Sequence, residues 1–334
     1  MHEARFTNHG SSLRGKGLWL PFSGDLDGAL EMAAAIGATH LIYRVGLRGM
    51  FFVEAARWVE GRARPAGLVP LAWVPLSLDD PFAEAALVVK ARRVGYEGVV
   101  LDLTDAAAGK TVAAATLGRK LAEAGIEPEC LFYAAPPDIW RHPEIPYREM
   151  NGFCRGGFMP WCSLGARRTP KTVVDKWAYG EHARWGQEWG NMPPLYPTLA
   201  VGRDEEEARQ PGVTEFLEWV QALAARNPPF LGIYGIRFLN RELWPILASL
   251  GPSAAPPPPV QPAPSAPSPL AEEGPAPATA QFHIVTVNDT LWSICKRYNI
   301  SKAQFWEWNG HLWDERGLPR DEVYLEEGWR VRVG

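Results

Sequence analysis

Residues 98–105, GVVLDLTD, end an apolar run in two carboxylates. Val99, Val100 and Leu101 lead into Asp102, and Asp105 follows three residues later. A short continuous apolar run reads as a strand buried on both faces. A carboxyl at the end of such a strand can serve as a general acid, a nucleophile or a clamp for hydroxyl groups. Cleavage of a glycosidic bond needs two such groups, one on either side of it. Asp102 is therefore the candidate general acid and Asp105 the candidate second carboxyl, with Asp25 and Asp138 behind other apolar runs as further acids. The ends of neighbouring runs carry Arg44, Trp73, Asp79, Tyr133, Trp161, Thr198, Tyr234 and Arg237. Aromatic faces stack on the apolar faces of pyranose rings, and acids and guanidinium groups hydrogen-bond their hydroxyls. Arg44, Trp73, Tyr133, Trp161, Tyr234 and Arg237 are the candidate substrate contacts. The chain has 15 tryptophans, enough to supply both a core and such platforms.

Other chemistries find little support. The seven histidines are scattered, and HExxH and CxxC are both absent, so no metal centre is expected. Cys162 has no obvious histidine partner, and GxSxG does not occur. No cofactor is expected. A net charge of -4 gives no basic footprint for nucleic acid. No run of eighteen apolar residues could cross a bilayer. The opening MHEARFTNHGSSLRGKG lacks an apolar h-region. The expectation is synthesis in the cytoplasm without a Sec signal, with any action at a wall following lysis, phage-type release or another export route.

These residues need a scaffold that brings strand ends together. Eight apolar runs, at 17–24, 40–46, 68–77, 98–105, 130–137, 157–165, 195–202 and 230–238, alternate with helical patterns such as DPFAEAALVVKARRVG. In that segment Asp80 reads as an N-cap, Pro81 as the first helical residue and Gly95 as the closing residue. Eight β-then-α units in about 250 residues is the arithmetic of a TIM barrel, whose function sits at the C-terminal strand ends. A doubly wound open sheet is the alternative, but PFSGDLDG does not supply the GxGxxG loop that it would need after strand one.

A compositional break follows. Residues 252–281, PSAAPPPPVQPAPSAPSPLAEEGPAPATAQ, are mostly Pro, Ala and Ser. They hold too little apolar surface to offset chain entropy, so a disordered polyproline-like linker is expected. The predicted organisation is a barrel at 1–251, the linker at 252–281 and a small module at 282–334. In the module, LWSICKRY places Leu291, Ile294, Cys295 and Tyr298 on one helical face, and Ser301 with Gln304 forms a capping box for a second helix. Strands IVTV and WRVRV flank the two helices, a βααβ order.

Two resemblances rest on these stretches. GLWLPFSG, AAAIGATHLIYRV, GLVPLAWVPLSLDDPFAEA, GYEGVVLDLTD and YAAPPDIWRHPEIPYREM with GFMPWCSLG resemble bacterial glycoside-hydrolase-like TIM barrels found beside wall-binding modules. In such barrels strand four commonly ends in D-x-E. Here Asp102 matches the Asp, and Thr104 stands where the Glu would be. Residues 283–333 are similar to a LysM domain, through Val287, Asp289, Thr290, Leu291, Ile294, Tyr298, Phe305, Asn309, Gly328 and Val331. That resemblance implies a groove for N-acetylglucosamine-containing glycans such as peptidoglycan, with Asn288, Asp289, Thr290, Leu291, Asn309 and Gly310 on its walls. Together they imply either a peptidoglycan-directed glycosidase using Asp102, or a non-catalytic glycan-binding or structural protein with a degenerate barrel. The sequence leaves the oligomeric state open.

Overall fold

The computed structural model describes residues 13–21, 26–47, 49–52, 59–164, 168–190, 192–202, 211–250, 281–285, 291–298, 300–314 and 329–334. The chain divides into two compact units, Met1–Pro258 and Pro259–Gly334. The boundary falls inside the expected linker, whose residues 252–280 lie outside the described residues.

The first unit is a closed parallel barrel of eight strands: β1 Gly15–Leu20, β2 His40–Arg44, β3 Val69–Leu76, β4 Gly98–Leu103, β5 Leu131–Ala135, β6 Gly157–Leu164, β7 Thr198–Val201 and β8 Phe230–Tyr234. Each strand pairs with its neighbour in sequence, and β8 closes onto β1 with Gly15 opposite Phe230 and Ile233 opposite Leu18. The expected TIM-like α/β class is what folds. Helices pack outside: α1 Leu26–Ile36, α2 Pro81–Arg93, α3 Thr111–Glu123, α4 Tyr147–Phe153, α5 His182–Trp189, α6 Val213–Ala224 and α7 Trp244–Ala248. Among the described residues, the connection from β2 to β3 holds a short hairpin, Gly46–Leu47 with Met50–Phe51, and a wide turn at Val59–Ala63 rather than a regular α-helix.

Strand alternation makes two cores. Leu18, Leu20, Val99, Leu101, Leu103, Leu199 and Ile233 face the helices, where Ala29, Met32, Ala33 and Ile36 supply the buried stripe of α1. Trp19, Ile42, Leu71, Val100, Phe132, Met159, Tyr196 and Phe230 fill the lumen. So many rings fit because facing positions are glycine. A Cβ on Gly17 would come within 2.5 Å of the Phe230 ring, so Gly17→Ala would overpack the lumen, a change that costs about 1–3 kcal/mol.

The sequence-level helix signals hold. Asp80 accepts the backbone N–H of Phe82 and Ala83 at 3.1 and 3.0 Å, Pro81 opens α2, and Gly95 lies just past its end with φ +104°. At the N-terminal end of the strands, the Lys16 ammonium donates to the carbonyls of Ile36, Leu247 and Ala248 at 2.7, 2.9 and 3.0 Å. It thereby caps the C-terminal ends of α1 and α7 with one buried cation.

The second unit has the order β9 Phe282–Ile284, α8 Leu291–Tyr298, α9 Lys302–Asp314 and β10 Arg330–Arg332, with β9 and β10 antiparallel. This is the expected βααβ order, with the first strand two residues earlier than the sequence suggested. Its core is Val285, Ile294, Cys295, Phe305, Trp329, Val331 and Val333, with Tyr298 packed against it. The capping box forms: Ser301 N–H donates to Gln304 Oε1 at 3.0 Å, and Gln304 N–H donates to Ser301 Oγ at 3.1 Å.

Candidate functional site

Asp102 sits near the C-terminal end of β4, on the lumen side, with Pro75 opposite it on β3 and Ala134 on β5. It is 3% exposed. Both carboxylate oxygens accept from indole N–H groups: Trp161 Nε1 reaches Oδ1 at 3.0 Å and Trp73 Nε1 reaches Oδ2 at 3.1 Å. Indole nitrogens only donate, so both carboxylate oxygens act here as acceptors.

The two indoles belong to an aromatic cluster. Trp19 on β1 lies 4.5 Å from Trp161 and 5.3 Å from Trp73, centroid to centroid. Tyr234, at the end of β8 and half-buried, meets both edge-on at 6.0 and 5.4 Å. The Arg44 guanidinium stands 5.6 Å from the Trp73 ring centre, in cation–π range. Five barrel strands thus bring together Arg44, Trp73, Asp102, Trp161 and Tyr234, all expected as site residues, along with Trp19, which was not. Its signal was alternation: Gly17 and Trp19 in GLWL share a face, and Gly17 must face the lumen to clear Phe230.

Other expected contacts lie elsewhere. Tyr133 is a correction. Its neighbour Ala134 shares the lumen face with Asp102, so Tyr133 points outward, fully buried against the helices. There it stacks on Phe158 at 4.7 Å, and its hydroxyl donates to Asn151 Oδ1 at 2.7 Å. Arg237 is exposed on the turn Ile236–Phe238 after β8, where its guanidinium stacks on Phe238. Asp105 is exposed at the start of the turn Asp105–Ala107, and its carboxylate has no hydrogen-bond or ionic partner among the described residues. Asp138 is buried after β5, 3.5 Å from His142 Nε2. Asp25 lies outside the described residues. Thr198 is fully buried in the lumen.

Thr104 donates its hydroxyl to the Leu76 carbonyl at 2.9 Å. It therefore ties the end of β4 to the end of β3. The loop beyond β3 is held by Glu84 of α2, whose Oε1 accepts the N–H groups of Ser77 and Leu78, both at 2.9 Å. That anchors Leu78 in a left-handed conformation, φ +58°. Burial pushes the Glu84 carboxyl above its ordinary range. Lys110, just before α3, bonds Ser77 O at 2.9 Å and the Asp79 carboxylate, joining the same loop to the next one.

The described residues contain no group of three His, Cys, Asp or Glu side chains able to hold a metal ion. Cys162 is fully buried, and burial pushes its thiol up to about 12, where it is no nucleophile near neutral pH. None of the described helices is long and apolar enough to cross a membrane.

In the second unit, Asn288, Asp289 and Thr290 lie outside the described residues, and so does the side chain of Leu291. Asn309 is 1% exposed. Its amide nitrogen donates to Phe305 O at 2.9 Å and Arg332 O at 3.0 Å, and its Oδ1 accepts from Arg332 N–H at 2.7 Å. This side chain pins α9 to β10 and is committed to the fold rather than turned toward a groove. Gly310 is buried beside it in α9.

Comparison with known proteins agrees with the second unit's strand and helix order. Residues 283–319 match the LysM domain family. The LysM module therefore spans β9, α8 and α9. No curated protein matches the chain. Solved structures similar to it cover the barrel. A chitinase from Chromobacterium violaceum is 12% identical over 69% of this chain and 97% of its own, with a TM-score of 0.47. A spore cortex-lytic enzyme from Bacillus cereus is 10% identical over 70% and 73%, with a TM-score of 0.47. An endoglucanase from Pseudomonas stutzeri is 10% identical over 72% and 95%, with a TM-score of 0.50. At these identities the likeness concerns the fold.

Proposed function

We propose that this protein binds N-acetylglucosamine-containing wall glycan, peptidoglycan first, through its LysM module, and that its barrel grips glycan without cutting it. The observation that carries the second half is the pair of indole N–H bonds to the two oxygens of Asp102. A general acid must hold a proton and aim it at the leaving oxygen. Each oxygen of Asp102 instead already accepts from a buried indole N–H, which leaves neither aimed at a leaving group. Thr104 adds no carboxyl at the strand end, because its hydroxyl is bonded to the neighbouring backbone. What remains suits holding a sugar: Tyr234 and Arg44 are half-buried at the strand ends, backed by Trp73 and Trp161, which are 6% and 2% exposed. A barrel and a glycan-binding module on one chain would act together, each raising the local concentration seen by the other. The place of action on this reading is the cell wall.

The test uses the full chain on insoluble peptidoglycan. The expected result is sedimentation with the wall, weakened at least tenfold by Trp73→Ala with Trp161→Ala, and no release of reducing ends. Hydrolysis that disappears in Asp102→Asn would overturn the non-catalytic reading in favour of an Asp102-dependent glycosidase, with the exposed Asp105 as the second carboxyl. Failure to sediment at all would overturn the glycan-binding reading itself.

A further inference from the structure

The outer face of the LysM module's two-stranded sheet carries two groups that the core does not use. Alternation turns His283, Val285, Val331 and Val333 inward or beneath, and turns Phe282, Ile284, Arg330 and Arg332 outward. Phe282 is paired opposite Arg332, and Ile284 opposite Arg330. Phe282 and Ile284 are 43% and 64% exposed, both among the most exposed large apolar side chains of the described residues. The Arg330 guanidinium stacks over the Phe282 ring at 4.1 Å, and that of Arg332 over Trp308 of α9 at 5.3 Å. Neither arginine forms an ion pair with a carboxylate among the described residues, and the one hydrogen bond from their side chains goes from Arg332 Nε to Gly334 O at 3.1 Å.

A guanidinium stacked on a ring has its face covered and its orientation set, while its N–H edge stays open for an oxyanion. Two such groups at alternate positions of one strand stand about 6.8 Å apart along it. The pattern is a short row of fixed cations at regular spacing, floored by apolar and aromatic surface.

From this face we propose a second binding surface on the LysM module, for a linear phosphodiester-linked polyol polymer. Such a polymer presents one negative charge per repeat at a spacing close to that of the two arginines, and each phosphate offers the paired oxygens that a guanidinium edge binds bidentately. The apolar floor of Phe282 and Ile284 covers the methylene and methine groups between phosphates. This surface lies on the sheet, whereas the glycan groove implied by the LysM resemblance is built from the turn before α8 and the segment around Asn309. It stands whether or not the barrel grips glycan.

The test is titration of the full chain with a glycerol phosphate oligomer of about ten repeats at low ionic strength. Binding should weaken as salt is raised. Arg330→Gln with Arg332→Gln should weaken it at least tenfold, while Arg330→Lys with Arg332→Lys, which keeps charge but loses the stacked fork, should fall between. Poly-glutamate of equal charge should bind more weakly than the phosphate oligomer. Retention of the far-ultraviolet spectrum, and of sedimentation with peptidoglycan, keeps the double variants interpretable. No binding by the wild-type chain, equal binding by the glutamine double variant, or a preference for poly-glutamate would each overturn the proposal. So would sedimentation equilibrium showing a dimer that Ile284→Glu dissociates, because the face would then be covered by a second copy.

Discussion

The barrel buries an ionisable side chain at each end, and the two are held in different ways. Lys16, at the N-terminal end of β1, donates to three backbone carbonyls at the ends of α1 and α7. Asp102, at the C-terminal end of β4, accepts from two side chains, Trp73 and Trp161. Backbone acceptors at helix ends cannot move without the helices moving, so the lower charge is part of the scaffold. Indoles rotate about their own side-chain bonds, and beside them stands the half-buried Tyr234. On the proposed reading, a ligand reaching Asp102 would meet side-chain partners to displace, whereas Lys16 offers none.

The sharpest way to break this contrast is Lys16→Met. It keeps the stem's apolar contacts but takes the ammonium donor from the carbonyls of Ile36 and Ala248 and from that of Leu247, which keeps the N–H of Leu250 at 3.2 Å. At about 1–3 kcal/mol for each unsatisfied buried group, and with partial rescue by water at the helix ends, the expected loss is about 3 kcal/mol. Urea unfolding measures it, and glycan binding at a fixed folded fraction should not change. A loss below about 1 kcal/mol would mean that Lys16 is no clamp.

The second prediction concerns the other titratable group at the closed end. His40 is buried on β2, its Nδ1 is 2.7 Å from Thr39 Oγ1, and burial lowers its pKa to about 4 from an ordinary 6.5. Between pH 4 and 6.5 the unfolded chain binds a proton there that the folded chain refuses. Stability present above pH 6.5 is therefore lost as pH falls toward 4, by up to about 3 kcal/mol. His182, lowered by burial as well, adds a loss of the same sign. Unfolding midpoints of His40→Gln should fall less steeply across this window, and an unchanged slope would remove His40 from the account.

The two ends differed in how readily the sequence revealed them. The barrel was legible in the spacing of eight apolar runs, and α2 was legible to the residue, because Asp80, Pro81 and Gly95 act locally. Asp102 could be found because a charge breaks an otherwise apolar run. Lys16 could not, since its partners Leu247 and Ala248 lie more than two hundred residues away and nothing local signals them. Tyr133 was misplaced for a related reason. CLFYAA is apolar on both faces, so its alternation carries no polarity to show which residues face the lumen, and only pairing with Asp102 through Ala134 settles the parity. Asn309 matched a family pattern, but a match to a pattern does not separate a residue that builds the fold from one that touches ligand. Its three hydrogen bonds within the module make that distinction.

At the open end, Trp161→Phe keeps the ring and removes one donor from Asp102. One net charged hydrogen bond is worth about 1.5–3 kcal/mol. Water entering from the open end should recover part of that, so a loss of about 1.5 kcal/mol is expected. Urea unfolding at pH 7 measures it. No measurable loss would mean that the Trp161 indole does not hold the carboxyl, and the argument drawn from the two indole bonds against Asp102 as a general acid would lose its footing.

The smallest expected effect decides what Thr104 is for. Thr104→Val keeps the shape and β-branching but removes the hydroxyl that donates to Leu76 O. The carbonyl still accepts the Thr104 backbone N–H at 3.2 Å, so it is not orphaned, and the cost should be about 1 kcal/mol or less. If Thr104 only fastens the end of β4 to β3, glycan binding by Thr104→Val matches wild type within twofold. If the hydroxyl were a ligand contact, binding would weaken by tenfold or more with stability almost unchanged, and the open end would have to be redrawn with Thr104 facing the sugar. The lower end offers no such choice, because no substitution at Lys16 can alter ligand contact without first loosening two helices.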